Sequence, residues 1–200
     1  MILEYLILFI LTALFQLILL LYIEKKEYKV NKKIKIIVPL IAGIISLIIL
    51  YKYGRGLEIL KYILITEVIL TITAVDITVK LIPDRLNAIL LIIGLINLIA
   101  TKEIYSSILA FLLAGFLFLG LALITGGIGG GDIKLIAPLG LIFGLLPTLY
   151  LICYSFIIAG VISIILMIMN KAKIGSEIAL APYISIATII IILGPVSQLL

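Results

Sequence analysis

The sequence predicts an all-α, polytopic membrane helix bundle with about eight transmembrane helices, and three observations support this fold class. Hydrophobic residues make up 65% of the 200 residues and charged residues only 12%, whereas soluble domains have roughly 45–50% and about 25%. The mean hydropathy is +1.46. The apolar residues also fall into long runs, and a membrane-spanning helix needs about 20 of them. A soluble globule of this length has no way to cover so much apolar surface, so lipid is the expected solvent.

The apolar runs define the predicted segments, and each should be helical because backbone polar groups in lipid must be satisfied within the segment. The division between the sixth and seventh segments depends only on a turn at Pro147. The whole chain, 1–200, is predicted to be one transmembrane domain, with two helices and a short basic loop in 1–58 and the remaining helices in 59–199. The predicted bounds are 2–22, 36–51, 59–75, 86–100, 105–124, 133–147, 148–169 and 178–199.

The basic residues predict the orientation. The first segment has no positive residue ahead of it, carries Glu4 and has no small-residue cleavage site, so we expect a retained helix with its N-terminus outside. The loops on the cytoplasmic side are then 23–35, 76–85, 125–132 and 170–177. Most of the basic residues lie in or beside these loops, as the positive-inside rule requires; they are Lys25, Lys26, Lys29, Lys32, Lys33, Lys35, Lys80, Arg85, Lys134, Lys171 and Lys173. The other side holds Lys52, Arg55, Lys61 and Lys102.

The net charge of +5 is therefore interpreted as a topology signal, and no nucleic-acid partner is expected. The lysines of 23–35 either contact anionic lipid headgroups or only fix the orientation. Nothing in the sequence indicates an oligomeric state.

The residue inventory excludes several kinds of catalysis. The chain has no histidine and one cysteine, Cys153, which lies in an apolar run and is predicted to pack in the core. Ser-His and Cys-His catalysis, imidazole metal sites and a disulfide framework are thereby excluded. We expect no metal and no cofactor, so catalysis would need Asp, Glu, Lys, Tyr or Ser.

Three aspartates, Asp76, Asp84 and Asp132, lie in predicted cytoplasmic loops. Segments four and five separate Asp76 from Asp132, and an even number of crossings returns the chain to the same face of the membrane. These two carboxylates, 56 residues apart, can therefore meet there. In a pair that shares one proton, the ionised carboxylate takes a proton from water while the protonated one polarises the scissile carbonyl, so that a peptide bond is hydrolysed.

Five glycines in 126–131 precede Asp132, and we expect a non-helical loop that bends sharply and lies close to an extended substrate. Segment six is about 22 Å long, which would place this loop below the membrane surface. A nucleotide site is excluded, because Asp132 stands where a phosphate loop needs Lys followed by Ser or Thr. An ordinary connector remains an alternative, as does helix packing through Gly126/Gly130; packing is also predicted for Gly140/Gly144.

Other polar residues have simpler interpretations. Asp76 is also compatible with an ordinary loop residue beside Lys80. For Asp84, a cap on a helix that begins near Arg85 is favoured over a catalytic role. Glu67, in the middle of segment three, is predicted to make a structural hydrogen bond to a neighbouring helix. Lys134 is compatible with an interfacial anchor.

Three stretches together resemble the type IV prepilin peptidases, which are membrane aspartyl peptidases of the Gly-x-Gly-Asp type. Val75-Asp76 followed by 81–87 looks like the first aspartate motif of that family. The run 129–135, followed by Gly140, is similar to the Gly-x-Gly-Asp signature. The run 178–183 is similar to a late segment that contains proline. The resemblance covers about 59–199, which would be the peptidase-like core.

The resemblance implies an aspartic endopeptidase, without a cofactor, that cleaves the basic leader from type IV prepilin or pseudopilin-like precursors at the cytoplasmic face of the cell membrane. Asp76 and Asp132 match the two catalytic aspartates of the family. The residues that would form or support the substrate loop are Gly129, Gly131, Lys134, Asp84 and Pro83.

One departure concerns a second activity. Many bacterial members have a larger cytoplasmic insert with paired Cys-x-x-Cys motifs, linked to N-methylation of the new N-terminus, whereas 23–35 is short and has no cysteine. The resemblance therefore does not extend to methyl transfer, and the compact form also resembles the archaeal preflagellin peptidases. Two alternatives remain open: a small transporter whose acids relay protons, and an inactive membrane scaffold of the same fold.

Overall fold

The described part of the chain is entirely helical. The computed structural model describes residues 2–26, 28, 30–101, 103–171 and 179–195. Among these residues there are eight helices and no strand, which confirms the predicted fold class. In chain order the helices are α1 (Ile2–Lys26), α2 (Ile34–Tyr53), α3 (Leu57–Val79), α4 (Asp84–Thr101), α5 (Ile104–Thr125), α6 (Gly130–Phe143), α7 (Leu145–Ile168) and α8 (Ala181–Leu193).

Six of these helices, α1 to α5 and α7, are long and apolar enough to cross a membrane. Helices α6 and α8 have 14 and 13 residues, about 20 Å each, and are shorter than a bilayer core of about 30 Å. Large apolar side chains are exposed on the outer faces, among them Leu57, Tyr105 and Ile124 at 83–93%. The chain is therefore an integral membrane protein whose apolar surface requires lipid.

A few predicted features lie outside the described residues. They are Lys29, Lys102, Lys173 and Ile178, together with the ends of the predicted segment 178–199 that precede and follow 179–195. Of the third family-like stretch, the structure describes residues 179–183, and Ala181 and Pro182 begin the first turn of α8. Proline is well suited to that position, because the first amide groups of a helix have no intrahelical partner.

The described residues of Met1–Leu81 form the first of two compact units and contain α1, α2 and α3. Helices α1 and α2 approach closely at Gly43, where an added Cβ would lie 2.6 Å from the ring of Phe9. Two ion pairs connect α1 with the region of α2. Lys35 at the start of α2 pairs with Glu24, and Arg55 just after α2 pairs with Glu4.

The predicted structural hydrogen bond of Glu67 is confirmed. Glu67 is fully buried in α3, and the amide nitrogen of Gln16 in α1 donates to its carboxylate and to its backbone carbonyl oxygen. In this orientation the amide oxygen of Gln16 accepts from the hydroxyl of Thr71 at 2.9 Å. The reverse orientation would direct the amide oxygen of Gln16 at two acceptors. These contacts join α1 to α3 inside the unit.

The second unit, Ile82–Leu200, is organised around α6. Every residue of α6 from Leu135 to Phe143 is buried, and the helix packs against α4, α5, α7 and α8. An added Cβ at Gly140 would lie 2.7 Å from the carbonyl oxygen of Ala110 in α5, so Gly140 has the packing role predicted for it. The amide of Asn97 in α4 donates to the carbonyl oxygen of Ile142 at 2.9 Å. The buried part of α6 is thus surrounded by protein.

The boundary between α6 and α7 differs from the prediction. The chain breaks at Gly144, which has φ of 77°, rather than at Pro147. The amide of Leu145 donates to the hydroxyl of Ser106 at 2.9 Å, which fixes the turn. Pro147 lies in the first turn of α7, where residues donate no intrahelical hydrogen bond, so its lack of an N–H costs nothing. Gly144 therefore ends a helix rather than lying inside one. Its predicted packing role is nevertheless present, because an added Cβ there would lie 2.8 Å from Oγ of Ser106 in α5.

Candidate active site

Asp76 lies in the last turn of α3 and is 5% exposed. Its backbone carbonyl accepts a hydrogen bond from the amide of Lys80 at 2.8 Å. Lys80 has φ of 54°, which closes the helix with a left-handed residue. The interpretation of Asp76 as an ordinary loop residue is wrong, because α3 continues to Val79 and the side chain is buried.

Asp132 lies in the first turn of α6, with Gly129 at the N-cap position. The backbone N–H of Gly129 donates to Oδ2 of Asp132 at 3.1 Å, and the N–H of Asp132 donates to the carbonyl oxygen of Gly129 at 3.0 Å. A helix N-terminus favours an anion, and a hydrogen bond from a backbone amide to a carboxylate is charge-assisted. The local structure therefore stabilises the ionised form of Asp132.

The glycines before Asp132 only partly follow the prediction. Gly126 closes α5 with φ of 64°, but Gly130 and Gly131 are helical, because α6 begins at Gly130. An added Cβ at Gly126 or Gly130 would meet no described atom within 4 Å, so the packing proposed for that pair is wrong. The expected non-helical loop is thus limited to 126–129.

The two glycines of the Gly-x-Gly-Asp motif both face close neighbours. An added Cβ at Gly129 would lie 3.3 Å from Oδ2 of Asp132, and one at Gly131 would lie 3.0 Å from Cβ of Ile82. Because Gly131 has no side chain, the first turn of α6 can lie against Ile82 in the loop before α4. The intervening Gly130 has no such neighbour among the described residues. A side chain at either glycine of the motif would therefore crowd a neighbouring group.

Asp84 is the first residue of α4 and forms an ion pair with Lys134 of α6, with Nζ and Oδ1 2.8 Å apart. Both side chains are exposed, so the pair contributes about 0–1 kcal/mol to stability. The prediction that Asp84 caps α4 is wrong: the carbonyl oxygen of Pro83 accepts from the amides of Leu86 and Asn87, so Pro83 occupies the N-cap position. Lys134 has a defined carboxylate partner in addition to any contact with the membrane surface.

The second unit therefore brings several of the predicted residues together at the start of α4 and α6. The loop before α4 contacts Gly131, and the first residue of α4 binds Lys134. Asp132 lies in the same first turn of α6 as Gly131. Asp76 belongs to the other unit, and its pairing with Asp132 stays a prediction.

A cavity of about 560 Å³ lies between α4, α5 and α6 and begins at the ion pair. Its wall is apolar except for that pair and Asn87. Asn87 is 4% exposed, and its amide nitrogen and oxygen make no hydrogen bond with the described residues. The sequence predicted no separate role for Asn87, although a carboxamide one turn into a membrane helix indicates a candidate polar site.

Cys153 is exposed on α7 and not packed in the core as predicted. Apolar residues of a membrane helix can face lipid as well as protein, so an apolar run does not indicate burial. The thiol lies on a helix that takes no part in the site described above.

The fold and this site define an integral membrane protein in which an aspartate opens a short buried helix behind a Gly-x-Gly turn. A model of the type IV leader peptidase family matches residues 63–164, which contain Asp76, Asp84 and Asp132. The chain belongs to this family.

Curated relatives are similar over most of the chain. Three of them are named prepilin leader peptidase/N-methyltransferase. The one from Stutzerimonas stutzeri is 30% identical over 159 residues, 76% of this chain and 55% of the relative. The one from Bacillus subtilis is 27% identical over 142 residues, which are 70% of this chain and 57% of the relative. The one from Neisseria gonorrhoeae is 30% identical over 159 residues, which are 76% of this chain and 54% of the relative. The chain thus spans about half the length of these relatives, and no solved structure matches it significantly.

Proposed function

We propose that this chain is an aspartic endopeptidase that cleaves the basic leader from type IV prepilin or pseudopilin-like precursors. The observation that carries the proposal is the placement of Asp132, held by the amide of Gly129 at the N-terminus of α6. This turn lies within the region that matches the type IV leader peptidase family. The names of the curated relatives support the substrate class.

In the proposed reaction Asp132 is the base and Asp76 is the acid. Asp132 takes a proton from water, and the resulting hydroxide forms a bond to the carbonyl carbon of the scissile peptide. Asp76 gives its proton to the carbonyl oxygen, which yields a tetrahedral diol. The diol collapses as its C–N bond breaks, with one proton transferred to the leaving amine and one returned to Asp76. General acid–base steps of this kind contribute about 10²–10⁴-fold each.

We further propose that the reaction takes place at the cytoplasmic face of the cell membrane. Helices α4 and α5 are two candidate spans between Asp76 and Asp132, and two crossings return the chain to the face that it left. Basic residues predominate in the loops assigned to that face. The lipid bilayer and the precursor protein are the proposed partners.

The proposal does not include methyl transfer. The names of the relatives combine the two activities, but the chain spans only about half of their length. The short connection between α1 and α2 contains no cysteine, unlike the insert that carries the Cys-x-x-Cys motifs in many bacterial members.

A cleavage assay tests the proposal. The purified protein in detergent or in liposomes is incubated with a panel of leader-bearing precursors, and the products are measured by mass spectrometry. We expect the loss of a basic N-terminal leader with no added methyl group. A protein that binds and cleaves none of these precursors would contradict the proposal.

A further inference from the structure

The cavity between α4, α5 and α6 lies on the opposite side of α6 from Asp132. On α6 its wall includes Lys134 and Ala137 but not Asp132. Lys134 follows Asp132 by two residues, which is about 200° around a helix of 3.6 residues per turn. The cavity is therefore separate from the turn that holds the proposed catalytic base, and its occupant need not be the substrate.

The cavity is open on its lipid side. Leu112, Phe116 and Leu119 of α5 line it and are 42–67% exposed, and α5 is one of the candidate membrane spans. Gly115 and Ala137, also in the wall, are small, and an added Cβ at Gly115 would lie 3.6 Å from Cβ of Ala137. A molecule can therefore enter from the bilayer sideways, without passing through the protein.

One end of the cavity is charged and the rest is apolar. Asp84 and Lys134 form their ion pair at the charged end, and their side chains are 73% and 59% exposed. On α5 the wall extends from Leu119 to Phe111, about 12 Å along the axis. Both polar atoms of Asn87 lack accessible surface, so the ion pair supplies the polar groups that an occupant can contact. The cavity matches an amphiphilic molecule with a charged head and an apolar tail.

The two charges of the ion pair define the headgroup. A phosphate accepts hydrogen bonds from the ammonium of Lys134, and a primary amine in its charged form donates them to the carboxylate of Asp84. A headgroup that carries only negative charge would be repelled by Asp84, and a quaternary amine has no N–H to donate. The cavity volume of about 560 Å³ lies within the range of about 300–1,000 Å³ that is usual for ligand sites. Basic pockets between membrane helices are known to bind phospholipid headgroups.

We propose that this cavity binds one phospholipid with a primary amine, phosphatidylethanolamine, with an acyl chain along the apolar wall. Its phosphate pairs with Lys134 and its ammonium group with Asp84. The charged end lies at the start of α4 and α6, so the lipid belongs to the leaflet on the proposed cytoplasmic side. The lipid contacts all three helices and stabilises their packing. This inference does not depend on the proposed peptidase function.

Native mass spectrometry of the purified protein tests the headgroup. Protein depleted of lipid receives phosphatidylethanolamine, phosphatidylglycerol or phosphatidylcholine, each with the same acyl chains and at the same concentration. We expect a one-to-one complex that retains phosphatidylethanolamine about three- to tenfold better than the other two, because it alone pairs with both charges. Better retention of phosphatidylglycerol, or equal retention of all three lipids, would overturn the proposal.

Variants of the ion pair test the contact residues in the same measurement. Lys134→Gln and Asp84→Asn should each lower retention of phosphatidylethanolamine about three- to tenfold, because one charge of the headgroup loses its partner. Arg85→Gln is the matched control, since Arg85 is a neighbouring basic residue that does not line the cavity. It should retain the lipid like the unsubstituted protein. An equal loss in Arg85→Gln would mean that only the surface charge attracts the lipid, against the proposal.

Filling the cavity tests the place of the acyl chain. Gly115→Leu and Ala88→Leu add side chains to the wall from α5 and α4. Gly120→Leu is the control on α5, because Gly120 lies outside the wall and an added Cβ would meet no described atom within 4 Å. We expect the complex to fall at least about tenfold in the two cavity variants and to persist in Gly120→Leu, because the chain loses buried methylene groups. Added phosphatidylethanolamine should raise the melting temperature only where the complex forms.

Two results would overturn the proposed occupant. The first is a lipid complex that both cavity variants leave unchanged while their melting curves show folded protein. The second is a mass spectrum in which a second copy of the chain, or a leader-bearing precursor, is bound in place of the phospholipid and is lost in Gly115→Leu.

Discussion

The backbone amide of Gly129 donates a hydrogen bond to Oδ2 of Asp132, three residues further on and at 3.1 Å. The donor is a main-chain N–H, so the bond itself requires no side chain at position 129. However, an added Cβ there would lie 3.3 Å from the same oxygen. Glycine thus supplies the donor and leaves the carboxylate accessible, which links the first residue of the motif to the last.

We predict that Asp132→Asn and Asp76→Asn each abolish cleavage, with losses of at least 10³-fold, because each removes one of the two acids the reaction needs. Asp84→Asn should retain activity within about tenfold, since Asp84 is an exposed ion-pair partner of Lys134. The rate of precursor cleavage, measured by mass spectrometry, checks the prediction for all three variants. Loss of activity in Asp84→Asn with full activity in Asp76→Asn would reverse the assignment.

We predict that Asp76 holds the shared proton in the resting enzyme. Asp132 lies at a helix N-terminus and accepts from Gly129, which favours its ionised form, whereas Asp76 lies at a helix C-terminus, where an anion is disfavoured. Infrared difference spectra near neutral pH should show a protonated-carboxyl band that disappears in Asp76→Asn. A band that disappears in Asp132→Asn and persists in Asp76→Asn would mean that the roles are exchanged.

We predict that Gly131→Ala lowers kcat/KM by about tenfold or more, because its Cβ would lie 3.0 Å from Cβ of Ile82 and displace the turn that holds Asp132. Gly130→Ala is the matched control, since it is also in the first turn of α6 and its Cβ would meet no described atom within 4 Å. Parallel assays of the two variants check this. Equal kinetics would show that the contact with Ile82 does not position the site.

We predict that Gly140→Ala destabilises the protein by about 1–3 kcal/mol, because the added Cβ would lie 2.7 Å from a backbone oxygen of Ala110. Gly120→Ala, on α5 with open space around it, should be neutral or slightly stabilising. Thermal unfolding in detergent measures both. Similar melting temperatures for the two variants would indicate that α5 and α6 separate readily.

We predict that hydrolysis survives strong chelators. The sequence has no histidine, and its one cysteine is exposed on α7, so two carboxylates and water supply the proposed chemistry. Activity before and after exhaustive dialysis against chelator should agree within about twofold, the scatter of such assays. Loss of activity that zinc restores would contradict the two-carboxylate mechanism.

The composition was sufficient to predict the fold class, because lipid leaves the backbone few alternatives to a helix. Helix ends were less predictable. The break at Gly144 depends on a left-handed residue and on a hydrogen bond from Leu145 to Ser106, 39 residues away. Only tertiary structure provides that partner, so hydropathy pointed to Pro147 instead.

The candidate site was predictable where local sequence determines it. The motif around Asp132 could be recognised because its hydrogen bonds are made within four residues. The ion pair of Asp84 with Lys134 joins residues 50 positions apart, so it could not be recognised from the local sequence. The outward position of Cys153 was missed as well, because hydropathy does not distinguish a side chain that faces lipid from one that faces protein.

The small length of α6 has a consequence for how the bilayer meets this protein. A lipid-facing helix of 14 residues would force hydrophobic mismatch on its surroundings, since it falls about 9 Å short of the hydrocarbon thickness. Residues 135–143 of α6 instead touch protein, and the longer helices α5 and α7 present the apolar surface to lipid. The membrane can therefore keep its thickness around the molecule while the buried helix ends short of it. Asp132, in the first turn of that helix, is half-buried rather than enclosed, so we expect water to reach its carboxylate without a separate opening movement.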